Sequence, residues 1–430
     1  MNLLFSDGDS IACIGDSNTS AEITQITYSQ FLQYLYITRF PKCNIRFINC
    51  GIAGDTYSSA IKRLDWDMLP HSPTRAMVHL GTNDICYQQY PRLDVSGNEL
   101  GTDHEKVQKI QADCIKMINT LLQTGIQPSI ILPGGFYEGD DHPCPETFRG
   151  ANKALQEFSS LIKDYYANSD VPVIDLFPAF EIMRRLAPAT TITPDRVHFQ
   201  TMMHLLIAAV IAENQMFHPI VASTRIGKVP ETYGSEIKDL CVSKNTVTFT
   251  YAPHSLPFYN SPVYQQLEQY YPFTQKLNQE LIIVEDLQPG YYELILNGTP
   301  AGCYTAEEFA KGVNIATISE NPNLVLSKEL YHILCTDWYT PMHDLRRLAF
   351  QIEHCLDLGI DIKRIPGYHP QDTQDADPAF LKFAGGFYAT IIELFQNQVS
   401  NENLLEQLWQ QALNSARPKE YTVSVKTYTD

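Results

Sequence analysis

The chain has 430 residues, 44% of them hydrophobic, 19% charged and 11% aromatic, with a formal charge of −18. That length accommodates two domains, and the composition is that of an ordinary globular protein without low-complexity tracts. The acidic balance and the lack of a Lys/Arg stripe argue against nucleic acids and anionic membranes as partners, because phosphate binding needs clustered cations.

The first half alternates strand-like and helix-like segments. Ile11–Ile14 predicts a short buried strand, and Ile26, Phe31 and Leu35 predict a helix over about 24–38. Ile45–Ile48 and Ala76–Leu80 follow as strands. Val107, Ile110, Cys114, Met117, Ile118 and Leu121 share one face of a long helix. Ser129–Leu132 and Val171–Ile174 complete a set of five strands. Such alternation predicts a doubly wound parallel sheet in a three-layer α/β/α domain over 1–217. The pattern changes near His218. Asn245–Tyr251, Leu281–Val284 and Tyr291–Leu296 read as strands of a small antiparallel β unit at about 230–305. Gln288-Pro289-Gly290 marks a turn between the last two, and Asn297-Gly298 a tight one after them. Helical segments follow over about 325–415, so 218–430 reads as an accessory region.

The ten cysteines are scattered, with no C-x-x-C, which suits a reducing compartment. Met1–Asp7 has no basic stretch and too short an apolar run for a signal peptide, and Leu205–Ala212 is too short to span a bilayer. A cytoplasmic location is therefore expected.

Four short motifs carry chemistry. Gly15-Asp16-Ser17-Asn18-Thr19 follows the first strand, at the sheet edge where doubly wound folds bind ligands. Asn49 to Thr56 follows the second and contains Gly54, whose backbone N–H can face an oxyanion. Gly81-Thr82-Asn83-Asp84 follows the third, and the Asn83 amide is a side-chain donor of the same kind. Asp195-Arg196-Val197-His198 precedes an apolar helix and spaces a carboxylate and an imidazole for general-base work. Each motif alone also reads as an ordinary turn or helix cap.

Together, in the order Ser, Gly, Asn, Asp-x-x-His, they resemble the SGNH hydrolase family, also called GDSL esterases and lipases. The resemblance covers about the first half of the chain. It implies a flavodoxin-like fold, with Ser17 as nucleophile, His198 as base and Asp195 as its acidic partner. It also implies an oxyanion hole of the Ser17 N–H, the Gly54 N–H and the Asn83 amide. Phe199 stands where a proline often follows the family's histidine. No G-x-S-x-G, Walker or zincin motif is present. Neither a metal nor an organic cofactor is expected, and Asp140-Asp141-His142-Pro143-Cys144 reads as a solvated loop. Asp16, Tyr87, Phe136 and Tyr137 neighbour the catalytic motifs and are expected to bind substrate. Aromatic faces beside polar groups suit a carbohydrate. The expected activity is hydrolysis of short acyl esters, acetyl above all, of a polar, small-molecule or glycan alcohol. The alternatives are a lysophospholipase, a thioesterase, or a binding module that kept only the fold.

Overall fold

The computed structural model describes residues 5–21, 24–359 and 378–428, with side chains left aside over 378–389. Met1–Leu4, part of the stretch read for a signal peptide, lie outside the described residues. In chain order the first half contains β1 (Ser10–Gly15), α1 (Ser17–Ser20), α2 (Tyr28–Arg39), β2 (Arg46–Gly51), α3 (Tyr57–Arg63), β3 (Arg75–His79) and α4 (His104–Gln123). It continues with β4 (Gln127–Leu132), α5 (Ala151–Tyr166), β5 (Val173–Asp175), α6 (Phe177–Leu186), α7 (Ala189–Ile192) and α8 (Thr201–Asn214).

The five strands form one parallel sheet in the order β2-β1-β3-β4-β5. This is the doubly wound flavodoxin-like order, whose ligand crevice lies where the order reverses, between β1 and β3. The register sets Gly15 level with Gly51 on one side and His79 on the other. Three strands therefore end together, and three of the four motifs emerge at one edge.

Both faces of the sheet are covered, so its strands are apolar throughout. Ile11 and Cys13 point into one core, Ala12 and Ile14 into the other. The second core is completed by α4, on which all six residues expected on one face are buried. The first contains α2 and α8. Helix α8 is buried from Met202 through Ala212, because the sheet packs on one side and later parts of the chain on the other.

The second half starts with β6 (Ile220–Ile226), β7 (Glu231–Tyr233), β8 (Ser235–Val242), β9 (Thr246–Pro253), α9 (Pro262–Glu268), α10 (Phe273–Leu277), β10 (Gln279–Val284), β11 (Tyr291–Leu296) and β12 (Thr299–Thr305). Then come α11 (Ala306–Lys311), β13 (Val313–Asn314), α12 (Pro322–Tyr331), α13 (Tyr339–Asp357), α14 (Pro378–Ser415) and β14 (Tyr421–Thr427). Strands occur at the expected segments, and helices occur within the expected 325–415 stretch, of which 360–377 lies outside the described residues; the pairing, however, differs from a single unit at 230–305. β10 joins β6 in parallel in a sheet of order β13-β10-β6-β7. β11 lies in another sheet, of order β12-β11-β14-β9-β8. The Gln288-Pro289-Gly290 turn thus carries the chain between sheets, while Asn297-Gly298, both with positive φ, closes the β11–β12 hairpin. β14 enters between β9 and β11, which a local reading has no means to place. Among the described residues no helix is long and apolar enough to cross a membrane.

Candidate active site

The turn after β1 is shaped by its own polar groups. Asp16 caps α1, its Oδ1 accepting from the Asn18 N–H at 2.9 Å, and Ala21 at φ +70° ends the helix after four residues. Gly15 is required because a Cβ there would lie 2.0 Å from Thr19 Oγ1 and 2.9 Å from the His79 carbonyl. Ser17 stands partly exposed at the start of this turn. Burial pushes the Asp16 carboxyl up to about 6, against the pull of the Asn18 N–H and of His198.

Gly54 lies at φ +81°, which glycine adopts without strain, and a side chain there would meet only open space. The next residue, Asp55, is buried. Its carboxylate holds Arg63 through Nε at 2.8 Å and Nη2 at 2.6 Å, and its carbonyl accepts from the Asn83 amide at 3.0 Å. The Gly54 and Asn83 loops are thereby joined. An amide nitrogen carries two protons, so the bond to Asp55 occupies one and leaves the other for a ligand. Asp84 accepts from the Tyr57 N–H at 3.1 Å, and burial pushes its carboxyl up to about 7.

Asp195 and His198 meet directly. Asp195 Oδ2 is 2.6 Å from His198 Nδ1, while Oδ1 accepts from the backbone N–H groups of His198 at 2.8 Å and Val197 at 3.1 Å. Partial burial raises the Asp195 carboxyl, but the hydrogen bonds and charge of His198 outweigh it and bring it down to about 2. Asp195 is thus a firm anion that fixes the ring. Two further residues, silent in the sequence, organise this segment. Asn18 brackets His198 in the chain: its Oδ1 accepts from the Phe199 N–H at 3.0 Å, and its Nδ2 lies 3.5 Å from the Val197 carbonyl. Arg196, at φ +75° and 2% exposed, donates to the carbonyls of Tyr137, Gly139, His142 and Cys144. It fastens the loop after β4 to the Asp195–His198 segment. Nothing local marks either residue, since their partners lie 52 or more positions away.

Of the four expected substrate-binding positions, Tyr87 alone has a partly exposed side chain; Asp16, Phe136 and Tyr137 are 2%, 1% and 5% exposed. Tyr87 packs on Phe136 and Phe148 at centroid distances of 5.0 and 4.9 Å, within electrostatic reach of Asp195 and Asp16. The Tyr137 hydroxyl donates to Asp141 at 2.7 Å. In the loop beyond, His142 Nε2 bonds the Thr193 carbonyl at 3.0 Å, and its Nδ1 accepts from the Cys144 N–H at 3.0 Å. Both ring nitrogens are committed to the backbone. Among the described residues no group of three His, Cys, Asp or Glu side chains is placed to hold a metal ion.

Residues 8–205 match the model of the GDSL-like lipase/acylhydrolase family. The chain is 24% identical to an acetylxylan esterase of Geobacillus stearothermophilus over 207 residues, 47% of this chain and 88% of that one. It is also 24% identical over 187 residues to the uncharacterized lipoprotein YqeF of Bacillus subtilis (strain 168), 40% of this chain and 72% of that one. A solved structure of a gut microbial diltiazem-metabolizing enzyme shares the fold end to end. The two have a TM-score of 0.78 and 22% identity over 99% of this chain and 98% of the other. With the parallel sheet and the grouped motifs, the family match identifies residues 8–205 as a domain of the GDSL-like lipase/acylhydrolase family, and the protein as a carboxylic ester hydrolase.

Proposed function

We propose that the protein is a serine esterase that removes short acyl groups, acetyl foremost, from a polar alcohol such as a carbohydrate. Residues 1–217 act as the catalytic domain and 218–430 as its accessory region. The observation that carries the reading is the 2.6 Å contact between Asp195 and His198, in a segment that Asn18 ties to the Ser17 turn. His198 takes the Ser17 hydroxyl proton as Ser17 attacks the ester carbon. The oxyanion falls on the N–H groups of Ser17 and Gly54 and on the Asn83 amide. His198 returns the proton to the departing alcohol, then activates the water that frees the acyl group. Asp195 holds the imidazole tautomer throughout.

Short acyl preference is supported by polar loops around the site, by the −18 charge, which disfavours anionic lipid surfaces, and by the likeness to the Geobacillus acetylxylan esterase. A series of p-nitrophenyl esters tests it. In a long apolar pocket each buried CH₂ adds about 0.8 kcal/mol, so kcat/KM would climb severalfold per methylene. A flat or falling profile from acetate to octanoate is expected. A steady climb would move the protein to the lysophospholipases or thioesterases. Ser17→Ala should abolish turnover, and a fluorophosphonate should label wild type at Ser17. Labelling elsewhere, with activity kept in the variant, would remove Ser17 from the mechanism.

A further inference from the structure

A buried ionic chain runs from the accessory region to the oxyanion loops. Its first member is Arg346 on α13, whose Nη1 lies 2.9 and 3.2 Å from the two Asp67 oxygens. Asp67 also pairs with Arg63 Nη1. Arg63 spends its remaining nitrogens on Asp55 and on the Cys50 carbonyl, the latter at 2.8 Å. Asp55 follows Gly54 directly and accepts the Asn83 amide on its carbonyl. All four charged residues are buried: Asp55 2%, Arg63 2%, Asp67 5% and Arg346 7% exposed. The spacing is built locally, because α3 runs into a π-helical turn at Leu64–Met68 that carries Asp67 four residues beyond Arg63.

Two arginines and two aspartates make the chain neutral. A buried charge that loses its partner is costly, so the remaining groups must rearrange. Burial pushes Asp67 up, and the Arg346 and Arg63 charges more than offset this, leaving it ionised. Burial also pushes Asp55 up, with Arg63 pulling against it. Without Arg346, both aspartates compete for one guanidinium, and Asp55 is the one that carries the oxyanion loops.

We infer that Arg346 is a positioning residue for ester hydrolysis: through Asp67, Arg63 and Asp55 it holds the Gly54 N–H and the Asn83 amide in place. The inference rests on the oxyanion-hole reading of those two groups. It gives the accessory region a part in the reaction, although Arg346 itself touches no reacting atom.

The test compares Arg346→Met, Arg346→Lys and Leu348→Ala with wild type on p-nitrophenyl acetate. Leu348 is a buried apolar residue of the same helix, so its truncation should destabilise the protein without removing a member of the ionic chain. A displaced oxyanion donor acts on the transition state, so Arg346→Met should lower kcat at least about tenfold while KM stays within about twofold. Arg346→Lys keeps the charge and should recover most of kcat; if Arg346→Met does not fold, Arg346→Gln takes its place with the same expected loss. Leu348→Ala should melt earlier yet keep kcat within about twofold at temperatures below its transition. Hydrogen exchange at Asp55 and Thr56 gives a readout free of activity. Their N–H groups are bonded to the Ile52 carbonyl at 3.2 Å and to the Asp55 carboxylate at 3.0 Å. Exchange there should quicken in Arg346→Met and not in Leu348→Ala. Unchanged kcat and exchange in Arg346→Met, or equal losses in Leu348→Ala, would overturn the inference. Faster exchange in a protein with no Ser17-dependent esterase activity would instead overturn the oxyanion reading and leave the coupling standing.

Discussion

Asn18 shows how one side chain can tie two distant candidate site segments together. It follows Ser17, and its amide engages the backbone on both sides of His198. A hydrophobic residue here would leave the buried Phe199 N–H without an acceptor, a loss of about 1–3 kcal/mol. Asn18→Ala should therefore lower melting modestly and lower kcat more than tenfold, with KM little changed, because His198 loses its register against Ser17. A variant that only melts earlier would make Asn18 a structural cap. The candidate positions Ser17, Gly54, Asn83, Asp195 and His198 could be singled out in the sequence because their order and spacing carry a chemical pattern. Asn18 and Arg196 were not, since an Asn beside a Ser and an Arg inside Asp-x-x-His look like any turn residues. The aromatic loops were legible as aromatic but not as packed: Phe136 and Tyr137 turn inward, and Tyr87 alone of the three rings reaches the partly exposed wall.

At the scale of elements, the loop between β4 and α5 is held from outside itself. Five hydrogen bonds from Arg196 end on four of its carbonyls, and Asn152 on α5 clasps Phe136 through both N–H and carbonyl, at 2.7 and 2.9 Å. A planar fork can meet several carbonyls at once, and an ammonium cannot. Arg196→Lys should thus cost stability, by roughly 2–4 kcal/mol given the strength of charge-assisted bonds. It should also open the Gly139–Cys144 segment to limited proteolysis. Resistance equal to wild type would show that the loop stands without Arg196. The same scale explains the strand misplacement. β10 and β11 are adjacent in sequence and alternate well, yet β10 is drawn to β6 by parallel pairing and β11 to β14 from the chain's end.

Across the whole molecule, the two halves share a core. Helices α2 and α8 are buried against Leu256, Phe258, Tyr264 and Leu267 as well as against the sheet. A chain ending at residue 217 would expose that surface, so it should be insoluble or bind a hydrophobic dye while keeping helical circular dichroism. A soluble, cooperatively melting fragment would show that the catalytic domain stands alone. Acid sensitivity also belongs here. Burial brings His79 down to about 4 and His204 down to about 3. Folded values below the unfolded 6.5 mean that stability is full above that pH and is lost as pH falls toward 4. The buried Asp16 and Asp84, raised to about 6 and about 7, act in the opposite sense. Comparing variants isolates the histidines. In His79→Gln/His204→Gln the drop in unfolding free energy between pH 6.5 and 4.5 should be smaller than in wild type by roughly 4 kcal/mol. Parallel curves would mean that the pair does not titrate on unfolding.

What the sequence determined by itself was periodic or chemical: strand and helix alternation, the doubly wound class, and a serine, a glycine, an asparagine and an acid–histidine pair in order. These are local, because side-chain period follows backbone geometry and motif spacing follows the strand ends. What the tertiary structure alone decided joins residues far apart in the chain. It paired β14 between β9 and β11, turned Arg196 onto the loop after β4, and set Arg346 against Asp67 across 279 positions. Such contacts leave no periodic trace, since burial of charge and strand pairing are settled by which surfaces meet only after the local elements have formed.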